Sequence, residues 1–340
     1  MFDFSSFIDL PLIWGLLIAV GIFLYVLLDG FDLGVGILFP LAPSNKARDV
    51  MMNSIAPFWD GNETWLVLGG GGLLAAFPLA YAILMPAFYI PIILMLMGLI
   101  LRGVAFEFRF KAEGLQRQVW SFVFHYGSLG AAFFQGVILG AFVQGVAVTG
   151  RSFSGGPFDW ASAFSILTGI AVCFGYALLG STWLVMKTED KTQAWARRIA
   201  MYTLSFVGLF MAVVSMTMPV INERIRELWF TTPNIYVLSL IPLITFLLFV
   251  FLWSDLYRAK REFRPFFLSI AIFAMGYLGL GISLFPYIVP FQYTVHDAAA
   301  SGPGLSLLLV GVLPLLPLIL IYTGYCYYVF RGKTGHEHEY

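Results

Sequence analysis

Residues 58–77 read FWDGNETWLVLGGGGLLAAF, two acids at the head of a run otherwise fit for hydrocarbon. A helix needs about 20 apolar residues to cross the ~30 Å interior of a bilayer, and this run has that length. A charge at the centre of such a helix costs about 2.5–3.5 kcal/mol on insertion scales, so acids there face a bundle interior or a wet cavity. Asp60 and Glu63 therefore mark either a tight pairing or a function.

Composition sets the class for the rest of the chain. Of 340 residues, 60% are hydrophobic and 11% charged, whereas soluble domains carry about 25% charged residues. The aromatic share of 17% suits anchoring at membrane interfaces. A net charge of zero gives no basic footprint for nucleic acid. The expected fold class is an all-α integral membrane protein of nine transmembrane helices, two four-helix bundles plus a peripheral helix. It forms one polytopic domain over 1–340, with spans at about 12–39, 54–77, 80–103, 120–148, 162–186, 199–221, 235–253, 266–288 and 304–330. With the N-terminus outside, only Arg151, Arg224 and Arg226 fall in outside segments, and the other 16 of the 19 Lys and Arg fall on cytoplasmic ones. That excess is what orients membrane proteins. One span more or fewer reverses the side of every later loop and destroys it.

Minor features read plainly. No basic stretch precedes the first apolar run and no small-residue cleavage site follows it, so it is taken as a retained helix. Cys173 and Cys326 lie in apolar runs and behave as small hydrophobes. The outside stretch VPFQYTVHDAAASGP (289–303) suits an ordered turn. The tail HEHEY (336–340) has metal-binding composition, and a solvated terminus is the leading reading.

The charges converge. The first span closes in LLDGFDLGVG (27–36), with Asp29 and Asp32. The second opens in IAPFWDGNETW (55–65), with Pro57 in a first helical turn, where proline is tolerated. The third closes in LILRGVAFEFR (99–109), with Arg102, Glu107 and Arg109. All three belong at one cytoplasmic-side depth. In an unbroken helix Asp60 lies ~10 Å along from Asn53, with Glu63 a turn deeper. Asp60 and Glu63, and likewise Asp29 and Asp32, share a helix face by their spacing. Two readings stand side by side. The acids pair with Arg102 and Arg109 and lock the helices, or snorkel to the interface. Alternatively they line a hydrated path open to the cytoplasm, with Arg102 stabilising the charged form of at least one acid. Gly69 to Gly72 let another helix approach closely, with a flat ligand as the second reading.

His125 is the only histidine inside an expected span, too few for a set of haem axial ligands, and reads as a hydrogen-bonded structural residue. No glycine loop leads into a Lys-Ser or Lys-Thr pair, so nucleotide hydrolysis has no support. These residues alone leave three classes: half of a redox complex, a proton-coupled transporter, or a membrane anchor.

LLDGFDLGVG (27–36), NSIAPFWDGNETWL (53–66), LRGVAFEFR (101–109), SLFPYIVP (283–290) and YTGYCYYVF (322–330), with the length and span count, resemble subunit II of the bacterial cytochrome bd-type quinol oxidases. The resemblance implies a heterodimer in the bacterial inner membrane, N-terminus periplasmic, C-terminus cytoplasmic, embedded in lipid. Its subunit I carries haem b and haem d, or a third haem b in some branches, and the quinol-oxidising loop. Some complexes add a small single-span subunit, and some members hold a quinone in a groove of subunit II. The complex reduces O2 to water with electrons from ubiquinol or menaquinol. It takes its protons from the cytoplasm and so builds proton motive force without pumping. By the same resemblance Asp60 matches an acid lining the proton route toward the d haem. Trp65 matches a residue near an oxygen or proton entry between the subunits. Asp29, Asp32, Asn62, Glu63, Arg102 and Glu107 fall in matching motifs. Glu63 and Thr64 stand where better-known members carry uncharged alternatives. The short connecting loops resemble the cyanide-insensitive branch. A secondary transporter would show two related halves with a mid-membrane site, whereas these acids lie in the N-terminal third on the cytoplasmic side. An orphan scaffold subunit is the remaining alternative.

Overall fold

A computed structural model describes residues 8–334, so the histidine-bearing tail 336–340 lies outside the described residues. Backbone groups in hydrocarbon must be satisfied within their own segment, and the chain answers with helices. They are α1 (Leu10–Leu38), α2 (Asn45–Ile55), α3 (Trp59–Ala76), α4 (Pro78–Lys111), α5 (Gly114–Gln144), α6 (Ala163–Lys187), α7 (Asp190–Ile221), α8 (Glu223–Phe230), α9 (Asn234–Leu238), α10 (Leu240–Arg258), α11 (Arg264–Leu284) and α12 (Gly302–Val329). Two small hairpins interrupt them: β1 (Val148–Thr149) with β2 (Ser152–Phe153), and β3 (Tyr287–Val289) with β4 (Tyr293–Thr294). The second supplies the ordered turn expected in 289–303. Asp9 caps α1 by accepting from the Leu12 amide at 3.1 Å, and Ser162 caps α6 by accepting from Ser165 at 3.0 Å. Such caps satisfy amides that a helix start leaves open.

Among the described residues, eight helices are long and apolar enough to cross a membrane: α1, α4, α5, α6, α7, α10, α11 and α12. The nine-span expectation differs at α3, whose 18 residues open with WDGNE and so fall short on hydropathy. The second expected span also does not begin as one helix from residue 54. The chain leaves α2 at Ile55, turns through 56–58, and restarts at Trp59. Pro57 has no amide hydrogen to continue the ladder and its ring crowds the preceding turn. The stretch expected as a cytoplasmic loop is instead the helix α2, capped by Ser44, which accepts from Ala47 at 3.1 Å. α4 and α7 outrun their expected spans because polar, helix-compatible turns (EFRFK and DKTQAWARR) prolong them. Inside α4 the backbone leaves helical geometry at Phe88 (φ −117°, ψ 17°), just ahead of Pro91.

α1, α3, α4 and α5 pack side by side, α6, α7, α10 and α11 form a second group, and α5 and α1 both join the two through α6. The joint is close. A Cβ on Gly34 of α1 would lie 1.8 Å from the Tyr176 carbonyl of α6, and one on Gly180 would lie 2.5 Å from Gly34. Only glycine permits that approach. α3 runs antiparallel to α1: Asn62 bonds at Leu28 and Asp32, Gly69 packs on Ile22, and Gly72 packs on Ile18. Gly70 and Gly71 face outward with nothing within 4 Å. The glycine run is thus half helix contact and half open surface.

The connections gather at two poles. At one, His296 meets Asp9 at 2.9 Å, and the Ala300 amide donates to Ala76 O at 2.8 Å. At the other, Arg109 meets Asp49 at 3.0 Å, and Lys187 donates to the carbonyls of Phe330 and Gly332 beyond α12.

Candidate functional site

The first turn of α3 puts Asp60 at a helix N-terminus, where the open amides favour negative charge. Its side chain is exposed. Glu63 follows one turn on and is half-buried, while Asn62 and Trp65 turn inward, 2% and 3% exposed. Asp60 and Glu63 share a face, as their spacing predicts, but at different depths.

The inward face of α3 meets the last turns of α1. Asn62 Nδ2 donates to Asp32 Oδ2 at 2.7 Å and to Leu28 O at 3.3 Å, and the Tyr327 hydroxyl of α12 donates to Asn62 Oδ1 at 3.0 Å. Two acceptors on one side and a donor on the other leave the amide a single sensible orientation. From α4, Arg102 Nη1 donates to Asp29 Oδ1 with both side chains at most 1% exposed. The guanidinium also lies over the Trp59 ring, 5.9 Å from its centroid. Asp29, Asp32 and Glu63 all lie within electrostatic reach of Arg102. One cation therefore faces three carboxylates, and the cluster keeps polar atoms to spare. Asp29 Oδ2, Asp32 Oδ1 and Arg102 Nη2 are buried without a hydrogen bond from the protein.

The structure thus brings Asp29, Asp32, Asn62, Glu63 and Arg102 together and leaves Asp60 one turn out at the rim. Glu107 is exposed on α4 and takes no part. Arg109 does not pair with these acids, as one sequence reading held. It bonds Asp49 of α2 at 3.0 Å and Ser121 at 2.9 Å, with Arg117 on the same carboxylate at 2.6 Å. The reason is α2 itself, whose helix turns Asp49 toward the end of α4.

Sequence reasoning passed over four members of the network. Tyr327 stands among four tyrosines in YTGYCYYVF (322–330), with nothing local to single it out. Tyr25 lies one turn before Asp29 on α1; Gln135 Nε2 donates to its hydroxyl at 2.5 Å, and the Tyr176 hydroxyl donates to Gln135 Oε1 at 2.7 Å. Gln135 could have been flagged as a lone amide inside the apolar run AAFFQGVILG, since polar groups there need partners. The tyrosines carry no such signal, because aromatic residues are common in every span.

The fold and site define a class: a polytopic all-α membrane protein with a buried carboxylate–arginine cluster near one pole and an exposed acid at its rim. The sequence profile of the family "Cytochrome bd terminal oxidase subunit II" matches residues 10–330, and the chain belongs to that family. It is 31% identical over 338 residues to the cytochrome bd ubiquinol oxidase subunit 2 of Bacillus subtilis (strain 168), covering 96% of this chain and 97% of that one. It is 31% identical over 371 residues to the cytochrome bd-I ubiquinol oxidase subunit 2 of Escherichia coli (strain K12), covering 96% of each. A chain of the bd oxidase structure from Geobacillus thermodenitrificans superposes with a TM-score of 0.79, over 95% of this chain and 98% of that one, at 9% identity. That likeness bears on fold alone.

The chain is accordingly a membrane-embedded component of a quinol oxidase, an oxidoreductase whose family implies a partner subunit I and haem cofactors in the complex. Among the described residues, the two histidines stand at opposite poles and do not come together. His125 Nδ1 is engaged with Gly36 O at 3.2 Å, and His296 is held by Asp9 at the opposite pole.

Proposed function

We propose that this chain lines the route by which cytoplasmic protons enter a cytochrome bd-type oxidase, while haem-bearing subunit I reduces O2 to water with electrons from quinol. The observation that carries the reading is the sharing of Arg102 by Asp29, Asp32 and Glu63, with Asp60 exposed one turn nearer the pole. A buried site with more carboxylates than cations favours uptake of protons from water, and carboxyl groups pass them on. Trp65, buried a turn beyond Asn62, walls the path on the far side. The chain also supports assembly with subunit I.

The same reading makes α3 the ninth span. Its 18 residues reach ~27 Å; Phe58 packs among Tyr327 and Phe330 at one pole, and Ala76 accepts from Ala300 at the other. Nine spans in the inner membrane, N-terminus periplasmic, put 16 of the 19 Lys and Arg on the cytoplasmic side. The two helix groups, with α12 outside both, then form one domain of two four-helix bundles plus a peripheral helix. A small single-span subunit and a bound quinone are compatible with this architecture, and lipid covers the remaining apolar surface.

The test is Asp60→Asn in the intact complex. Assembly and haem content should be unchanged and quinol-driven O2 consumption should fall by about tenfold or more, the scale on which proton-transfer groups contribute. Normal respiration excludes Asp60 from the route, and failure to assemble makes it a structural pairing group.

A further inference from the structure

The two fully buried acids of the cluster are wired differently. Asp29 Oδ1 holds the Arg102 guanidinium, a group that stays charged at any working pH. Neutralising Asp29 strands that cation in a site with no other hydrogen-bonded anion. Asp32 Oδ2 instead accepts from the neutral amide of Asn62 at 2.7 Å, while the second oxygen of each acid, Asp29 Oδ2 and Asp32 Oδ1, is buried with no hydrogen bond from the protein. An amide donor on one oxygen serves a carboxyl and a carboxylate alike, and the other oxygen is left to exchange. We infer that Asp32, and not Asp29, is the group in this cluster that takes up and releases protons, and that Tyr327 positions it through Asn62. The inference rests on the proton-entry reading above and deepens it.

Tyr327 matters because an amide can turn over. With its hydroxyl on Asn62 Oδ1 and Leu28 O on the Nδ2 side, Asn62 must present hydrogen rather than oxygen to Asp32. Tyr327 is itself held by stacking on Phe58 at 4.4 Å. Lys187, 3% exposed, clamps the carbonyls of Phe330 and Gly332 just beyond. The groups facing Asp32 are Arg102 from α4, Asp29 from α1, Glu63 from α3 and Tyr327 from α12. In each transfer the O–H bond of a Glu63 carboxyl breaks as one forms on Asp32 Oδ1, directly or across a water. Asp32 then returns to carboxylate by giving its proton to a base of the partner subunit, and charge balances at both steps.

The experiment compares Asp32→Asn, Asp32→Glu, Asp29→Asn, Tyr327→Phe and Asp60→Asn in the purified complex with its partner. Asp32→Asn should keep its haem and lose about tenfold or more in turnover, Asp32→Glu should restore most of it, and Asp29→Asn should lose assembly instead. Tyr327→Phe should leave the quinol KM unchanged, lower kcat about threefold, and raise the solvent isotope effect, a signature that loosened packing does not produce. Normal turnover in Asp32→Asn with slow Asp60→Asn keeps the path and overturns the assignment. Normal turnover in both overturns both. An assembled but equally slow Asp29→Asn also overturns it. Where Asp32→Asn fails to assemble, Tyr327→Phe decides, and wild-type kinetics with a wild-type isotope effect sinks the inference.

Discussion

Arg102 of α4 and Asp29 of α1 form a charge-assisted hydrogen bond with 1% and 0% of their side chains exposed, across 73 residues of sequence. Removing one partner of a buried pair leaves the other as an uncompensated charge, which costs about 3–5 kcal/mol, whereas replacing both with apolar groups is often neutral. Arg102→Leu alone should therefore abolish a stable complex, and adding Asp29→Leu should recover much of the loss. Thermal denaturation of the detergent-solubilised complex measures both. A double variant no better than the single would show that Arg102 is needed for the other two acids instead.

The crossing of α1 and α6 is set by glycine. Gly34→Ala places a methyl group where the Tyr176 carbonyl already stands, 1.8 Å away. Overpacking of this kind costs about 1–3 kcal/mol or more. Gly70→Ala, with nothing within 4 Å, should be harmless or raise helix stability by up to about 1 kcal/mol. Equal melting temperatures for the two would contradict the close crossing.

Topology has a direct check. A periplasm-active reporter fused after Arg151 should be active and one fused after Lys191 silent. The reverse pattern would overturn the combined model, through either the N-out orientation or α3 as a crossing segment.

The segment after α12 is tethered in a pH-dependent way. Lys333 Nζ donates to Glu262 Oε2 at 2.6 Å, and this bond, with one from Gln193, holds the Glu262 carboxyl below its ordinary 4.5. A folded-state value lower than the unfolded one gives stability that is present above 4.5 and lost as the pH falls through the lowered value. Limited proteolysis beyond Phe330 should thus be slow at neutral pH and speed up as the pH falls below the ordinary carboxylate range. In Glu262→Gln this dependence on pH should be lost. Both groups are partly exposed, so high salt should weaken the tether. Salt-independent protection would argue against it.

Much of the site was legible because charges are rare here. With 11% charged residues, any acid in an apolar run stands out, and the alternation of sides put the three acidic stretches at one pole. What stayed hidden was pairing. Nothing in a local pattern distinguishes Arg102, which takes Asp29, from Arg109, which takes Asp49 of a helix that read as loop. Tyr327 is one of 16 tyrosines, and only its meeting with Asn62 sets it apart.

Hydropathy, periodicity and loop charge are sums over neighbouring residues, so the sequence by itself determined an all-α membrane chain, its orientation signal and the level of its acids. The azimuth at which each helix faces its neighbour is decided by contacts between distant residues: Gly34 against Tyr176, Asn62 against Asp32, and Tyr327 against Asn62 across 265 positions. Rotating α3 by half a turn would leave every local sum unchanged and carry Asn62 away from Asp32. Only the tertiary structure could therefore decide which acid holds the arginine and which holds the neutral amide.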